Sequence, residues 1–396
     1  MHTATSPTLN RFREEVREFF DTALTDELRR ARRFMTSVYC DRESSLAWQR
    51  ILHEQGWLVP GWPREYGGTD WSLTERFVFA CESARAGPPP ISPMGIEMLG
   101  PALLGYGTEE QKRYYLPRML RGEDFWCQGY SEPQAGSDLA ALKLRAVPDG
   151  DDYVLNGTKL WTTHAHYANR MFCLVRTGHF ERPQQGVTFL LVDLDSPGVH
   201  ISPIRFFSGE TEQYQVTFED VRVPRANVVG KPDEGWAVTK YLLEFERGSK
   251  PSAPGLLETV RDLRALVERE GDGEDTTGIR GRIDVLECEV LGLEGTELRC
   301  LEEAEQHGSP GSRASLLKIR GAELSQSASQ LALEIAGIYG LPWQPEVIDS
   351  RGTEPAVGPV DLVTRAPFYF NNRAASIYGG SNEIQRNIIA RHVLGL

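Results

Sequence analysis

Between Leu9 and Ala23 the apolar residues Leu9, Phe12, Val16, Phe19, Phe20 and Ala23 recur every three or four positions among Arg, Glu and Asp. That spacing predicts a helix with one apolar face. The same period runs through "SLAWQRILHEQGW" and "EEQKRYYLPRMLRG", and it is broken at "YGGTD" and "RAGPPPISP", where Gly and Pro interrupt regular structure. Residues 1–124 are therefore predicted to form an all-helical domain.

The pattern then changes from a period near four to a period of two. "DDYVLNGTKLWTT" sets Asn156-Gly157 between two alternating runs, which predicts a type I′ hairpin. "RMFCLVRT", "GVTFLLVDLD", "GVHISPI" and "YQVTFEDVRV" follow at strand length, so residues 125–231 predict a small, barrel-like β domain. After "VVGKPDEGW" the helical period returns in "GWAVTKYLLEFER", "TGIRGRIDVLECEVLGLEGTELRCLEEAEQ" and "RASLLKIRGAELSQSASQLALEIAGIYG". Residues 232–396 are predicted to be a four-helix bundle, with a long loop from Leu341 to Phe370. The fold class is α+β.

Composition narrows the function. A chain of 396 residues exceeds one simple core, at roughly 150 residues per domain. Asp and Glu outnumber Lys and Arg by 56 to 43, a net charge of -13, which argues against nucleic-acid binding. An anionic cofactor is not excluded, because a few Arg or backbone N–H groups suffice to hold a diphosphate. The six cysteines are widely spaced, which suggests reduced thiols and neither a disulfide frame nor a zinc site. No basic segment precedes an apolar run, and the longest apolar stretches are strand-sized; the expectation is a cytoplasmic protein with no membrane span.

Two motifs carry candidate chemistry. In "QGYSEPQAGSD", Gly136 permits close backbone approach, and Ser131 and Ser137 offer hydroxyl and N–H donors. In "NGTKLWTTHA", Trp161 precedes Thr163 by two residues; taken alone, Trp161 reads as a core aromatic of the β domain. His164 and His166 would share one strand face, but no third ligand at a useful spacing is present, so no metal site is expected.

Together, at this separation, the motifs resemble those of flavin-dependent acyl-CoA dehydrogenases, and the similarity runs from about Glu54 to the C-terminus. The resemblance implies FAD, with Tyr130 and Ser131 on the isoalloxazine, Gly136 and Ser137 near the cofactor or CoA, the Trp161 ring shielding the flavin, and the Thr163 hydroxyl meeting N5. In "SIYGGSNEIQRNIIARHVLGL", Gly380, Ser381 and Glu383 resemble the flavin-adjacent segment, and Ser381 also reads as a helix N-cap. Many family members carry the catalytic glutamate at the position held here by Gly379, which cannot titrate. Members that lack it place the base in a Glu-Arg pair on another helix, present here as Glu246-Arg247, with Glu244 as a competitor. Gly379 keeps the backbone N–H that contacts the thioester oxygen in the family.

The resemblance also implies where the chain departs from its relatives. The Arg-x-x-Phe-Gly segment that reaches a neighbouring subunit's diphosphate is missing from "LVEREGDGEDTTGIRGRIDVLE". The segment Gln-x-x-Gly-Gly-x-Gly is reduced to "EIAGIYG", with Glu334 in the Gln slot. This pattern is similar to that of the base-bearing subunit of heteromeric dehydrogenases in bacterial steroid catabolism. The implied activity is α,β-dehydrogenation of a bulky, branched or steroid-derived acyl-CoA, with electrons passing to an electron-transfer flavoprotein or a similar acceptor. The implied assembly is an α2β2 heterotetramer with a homologous subunit, or a homodimer. A monooxygenase or oxidase on the same fold and a non-catalytic partner subunit are the alternatives.

Overall fold

The computed structural model describes residues 6–248, 251–270, 276–307 and 311–396, and of residues 244–248, Glu270, His307 and Ser312 it describes the backbone alone. Six helices lead the described chain: α1 (Pro7–Ala23), α2 (Asp26–Arg33), α3 (Arg42–Gln55), α4 (Leu73–Ala86), α5 (Gly100–Tyr106) and α6 (Glu109–Leu120). α1 buries Leu9, Val16 and Phe20, the face its spacing predicted. Ser72 and Thr108 close capping boxes with Glu75 and Gln111 at the starts of α4 and α6, satisfying N–H groups that a helix start leaves free.

Among the described residues eight strands form one mixed sheet: β1 (Trp126–Gly129), β2 (Arg145–Asp149), β3 (Asp152–Thr163), β4 (Arg170–Arg176), β5 (Val187–Asp193), β6 (Val199–Ile204), β7 (Gln213–Pro224) and β8 (Val228–Val229). Their order is β6-β7-β3-β2-β4-β5-β8, and β1 pairs with β4 in parallel. Leu144, Tyr153, Leu155, Met171, Val192, Val216 and Phe218 contribute to its core. The predicted strands are present, but the predicted hairpin is not where Asn156-Gly157 suggested. Both residues lie inside the single strand β3, at a bulge in its pairing with β7. The Asn156 amide holds Asp220, whose φ of +51° is left-handed, through bonds of 2.9 and 3.0 Å. A Cβ on Gly157 would lie 2.9 Å from the Leu144 side chain. The glycine therefore admits a crowded crossing; the reversal is instead at Gly150, between β2 and β3.

Helices resume with α7 (Gly235–Gly248), α8 (Ala253–Glu270), α9 (Thr277–His307), α10 (Ala314–Ala336), α11 (Pro345–Asp349), α12 (Arg365–Asn372) and α13 (Asn382–Ile389). Val260, Leu263, Ile283, Leu286, Val290, Leu324 and Leu331 from α8, α9 and α10 pack together. The long loop expected over 341–370 contains α11 and the start of α12, because Val347, Ile348 and Val363 bury against Phe34. Short helices built on three or four apolar anchors leave too little periodicity to detect in sequence.

By contacts the chain divides into two compact units, residues 1–48, 70–90 and 247–396 in one and 49–69 and 91–246 in the other. Among the described residues no helix is long and apolar enough to cross a membrane.

Candidate active site

The sheet unit holds the two sequence motifs side by side. β1 ends at Gly129, and the chain continues through Tyr130, Ser131 and Glu132 into a tight turn, in which Glu132 and Ala135 exchange backbone bonds of 2.9 and 3.0 Å. The Ser131 carbonyl accepts from Leu160 N–H at 2.8 Å. Lys159 Nζ donates to the Tyr130 carbonyl at 3.0 Å and to Glu132 Oε1 at 2.8 Å. Glu132 also accepts from the N–H groups of Lys143 and Leu144 at 2.6 and 2.9 Å. Burial pushes the Glu132 carboxyl up, but the Lys159 charge and these hydrogen bonds outweigh it and hold it below the ordinary carboxylate value. A buried charge pair satisfied on both sides thus fixes the loop to the strand that carries Trp161 and Thr163.

Sequence reasoning did not single out this pair, although one signal was present. Tyr153, Leu155 and Lys159 lie on the same alternation phase, and all three are buried. A lysine on an inward phase requires a carboxylate partner. Arg176 was also missed: it donates to the carbonyls of Ala140, Leu142, Pro183 and Gln185, at 2.7, 3.4, 2.8 and 2.8 Å, and so clamps the segment that follows the first motif.

Trp161 is not a core aromatic. Strict alternation from Lys159 would point it inward, but a second register shift falls between Lys159 and Thr162, and Trp161 adopts φ of +60°. Thr162 takes the buried position, and Trp161 is left 54% exposed, its ring centroid 6.4 Å from that of Phe206. A left-handed backbone at a bulky residue is unfavourable, so here the fold spends conformational energy to present an indole ring outward. Just beyond the bulge, Thr163 pairs with Gln213 across β7, and its hydroxyl lies 2.8 Å from Gln213 Nε2.

On the same unit Gly136 is exposed, and a Cβ built there would meet no atom within 4 Å. Its small size is therefore not demanded by its own chain. Ser137 is exposed and Ser131 half-buried. Tyr130 is buried, edge-on to Phe172 and Phe189 with ring centroids 5.8 and 6.4 Å away. His164 and His166 lie in a turn after β3 and not on a strand: His164 has φ of +55°, and the His166 ring stacks on Tyr214 with centroids 4.5 Å apart. Among the described residues no group of three His, Cys, Asp or Glu is placed to hold a metal.

The helical unit carries the C-terminal motif. Gly379 and Gly380 have φ of +65° and +79°. A Cβ on Gly380 would lie 2.5 Å from Gln385 Nε2, which donates to the carbonyls of Gly379 and Gly380 at 3.2 and 3.3 Å. Glycine suits the left-handed backbone, and any larger residue at Gly380 would also displace the Gln385 amide from these carbonyls. Ser381 caps α13 by accepting from Ile384 N–H, as its sequence suggested. The Glu383 carboxyl sits below its ordinary value, held by its own backbone N–H and the Ser381 hydroxyl. Glu246 and Arg247 fall on α7, but their side chains, like that of Glu244, lie outside the described residues. The start of α7 is fixed tightly: a Cβ on Gly235 would lie 2.4 Å from the Phe189 backbone of β5.

Three acyl-CoA dehydrogenase models match the chain, the N-terminal domain over residues 6–123, the middle domain over 127–221 and the C-terminal domain over 233–394. The chain is 39% identical over 359 residues to acyl-CoA dehydrogenase IpdE1 from Mycobacterium tuberculosis, covering 89% of this chain and 88% of the relative. The chain belongs to the acyl-CoA dehydrogenase family. Among solved structures it is similar to the ChsE4-ChsE5 complex from Mycobacterium tuberculosis, with a TM-score of 0.80 and 30% identity over 99% of this chain and 98% of that one. It is also similar to a structure described as the Tcur3481-Tcur3483 steroid ACAD, with a TM-score of 0.83 and 29% identity over 100% and 99% of the two chains. This acyl-CoA dehydrogenase has its helical N-terminal, sheet middle and helical C-terminal regions in the family's order, as the sequence predicted.

The residues fit the flavin that the family resemblance implies. An outward aromatic ring, a hydroxyl paired with Gln213, and an exposed glycine with no side-chain neighbour lie on one sheet unit, where hydrogen bonds of 2.8–3.0 Å tie the Tyr130–Glu132 loop to Lys159 and Leu160 of β3.

Proposed function

We propose that this acyl-CoA dehydrogenase is the base-bearing subunit of a two-chain enzyme that converts a bulky, steroid-derived acyl-CoA to its trans-2-enoyl-CoA with FAD. The observation that carries the reading is the outward, left-handed Trp161 beside Thr163, locked to the Tyr130–Glu132 loop. In this role Trp161, Thr163, Ser131 and the backbone near Gly136 and Ser137 would hold the flavin, with Gly380, Ser381 and Glu383 beside it. When bound, FAD would supply the acceptor for the hydride lost from C3 of the acyl chain. Glu246 takes the proton from C2, Arg247 balances its charge, and the N–H of Gly379 stabilises negative charge on the thioester oxygen. The lost hydride and proton leave a C2–C3 double bond, so atoms and electrons balance. The electrons then pass to an electron-transfer flavoprotein or a similar acceptor.

The two-chain assembly is supported by relatives solved as the ChsE4-ChsE5 and Tcur3481-Tcur3483 pairs, the second described as a steroid ACAD. Glu334 adds support. Its carboxylate is ion-paired with Arg282, which holds it below its ordinary value, and an ionised carboxylate only accepts, so it offers a neighbour's diphosphate none of the donors of a Gln amide. The chain thus lacks what it would need to complete an identical neighbour's site, and an unlike subunit supplies the contact.

The test is Glu246→Gln in the flavin-loaded enzyme, co-expressed with the unlike homologous subunit. Full flavin content is expected, with turnover reduced by at least about 100-fold, the lower range for loss of a general base. Turnover that survives the substitution would remove Glu246 from the role. A preference for straight-chain over steroid acyl-CoA thioesters would remove the substrate class.

A further inference from the structure

Thr163 and Gln213 are directly opposed on β3 and β7, at the first pairs after the Trp161 bulge. Thr163 Oγ1 lies 3.1 Å from Gln213 Oε1 and 2.8 Å from Gln213 Nε2. Both ends of one amide therefore face one hydroxyl. A hydroxyl has a single proton and two acceptor positions, whereas a side-chain amide offers a donor and an acceptor at separate atoms. When Nε2 donates to the threonine oxygen, the threonine proton is free to point elsewhere. When the threonine proton is given to Oε1, a lone pair is free to accept from elsewhere.

We infer that Gln213 is a positioning residue that lets the Thr163 hydroxyl reverse its hydrogen-bond polarity toward flavin N5 between the two redox states. The inference rests on the reading that Thr163 meets N5. In the oxidised ring N5 presents a lone pair and needs a donor. Once the hydride from C3 has been received, the same atom carries a hydrogen and needs an acceptor. Gln213 satisfies the remaining valence of the hydroxyl in both cases: as a donor through Nε2 in the first, as an acceptor through Oε1 in the second. No atom is transferred through Gln213; only hydrogen bonds are exchanged. Thr163 and Gln213 are both half-buried, so water is a poorer substitute for the amide than it would be at an open surface.

The sequence signal for this residue was weak, because Gln213 lies fifty positions from Thr163 and only the strand register brings them together. The bulge sets that register. Without the extra residue at Trp161, a different side chain of β3 would face Gln213.

The experiment compares Gln213→Leu, Thr163→Val and the double variant in the full-length enzyme, purified with the partner subunit that flavin retention requires. FAD dissociation constants are measured for the oxidised cofactor and, anaerobically, for the reduced one, together with the midpoint potential. Gln213→Leu is expected to weaken binding of both forms about fivefold to tenfold, the scale of one net hydrogen bond. Because both forms weaken, the midpoint potential is expected to move by less than about 30 mV, the shift that corresponds to a tenfold difference for a two-electron couple. The effect is expected to vanish in the Thr163→Val background. An effect that persists in full there makes Gln213 merely structural and overturns the proposal. An effect on one redox form alone overturns the polarity reversal. If Thr163→Val changes flavin binding and Gln213→Leu does not, this proposal fails while the placement of Thr163 stands. If neither substitution changes flavin binding, the placement of Thr163 at N5 fails. Gln213→Met, closer in shape, replaces the Leu variant if that one does not fold.

Discussion

At the residue scale, Trp161 shows a local rule broken for an external purpose. Its backbone is left-handed and more than half of its surface is exposed. Glycine adopts that backbone freely, whereas other residues pay on the order of 1–2 kcal/mol. Trp161→Gly loses the buried part of the ring, about 2–3 kcal/mol, but relieves that strain, so the apoprotein is expected to lose no more than about 1–2 kcal/mol while FAD binding weakens. Chemical denaturation and flavin titration read the two effects separately, and a loss of stability as large as the full burial would remove the strain argument. Lys159 behaves in the opposite way. It is fully buried against Glu132, and Lys159→Met would leave that carboxylate unpaired, at a cost of about 3–5 kcal/mol. Adding Glu132→Gln is expected to recover part of the loss in urea unfolding. Because the folded Glu132 value is depressed, its contribution is present above the unfolded carboxylate value and is lost as pH falls through the folded one.

At the element scale, α8 begins on a carboxylate that comes from another helix. Glu297 of α9 accepts from Ser252 N–H at 2.6 Å and from Ala253 N–H at 3.2 Å. Burial nonetheless pushes its carboxyl up to about 7. From the unfolded carboxylate value, roughly 4.3, up to about 7, the folded state binds more protons than the unfolded state. Stability contributed by this group therefore falls as pH rises across that window. Glu297→Gln is expected to flatten the slope and to raise Tm at alkaline pH, and Tm measured against pH checks both. The outer side of α9 presents Gly278, Gly281, Gly292 and Gly295, and a Cβ on any of them would meet no atom within 4 Å. Glycine inside an exposed helix costs about 1 kcal/mol relative to alanine, so Gly281→Ala and Gly292→Ala are each expected to stabilise the isolated chain by that amount.

At the scale of the whole molecule, flavin retention should depend on the partner. The chain is expected to carry well under one FAD when expressed alone and about one per pair when expressed with the unlike subunit. Absorbance of the purified proteins measures the ratio, and full occupancy of the lone chain would refute the need for a partner. Surface charge adds a condition. A net charge of -13 opposes approach of an anionic thioester over long range, and the repulsion is screened by salt. The association rate with acyl-CoA is therefore expected to rise as ionic strength increases, which stopped-flow mixing at several salt concentrations would test.

The sequence by itself determined the succession of helices, strands and helices, because periods of about four and of two are local and each long element repeats its period several times. It also determined the family, through short motifs whose residue types are read in order along the chain. Only the tertiary structure decided which residues of β3 face inward. Asn156-Gly157 continues β3 where a turn was expected, opposite an extra residue of β7, and a second irregularity, one extra residue in β3 between Lys159 and Thr162, reverses the phase of that strand and moves Trp161 from the core to the surface. It also decided the partners. Glu132 with Lys159, Arg176 with the carbonyls of Ala140 and Leu142, and Thr163 with Gln213 are joined by the fold across tens of residues. Hydrophobic period is a property of neighbours in sequence, whereas a buried charge or an oriented hydroxyl depends on whatever the fold brings within about 3 Å of it.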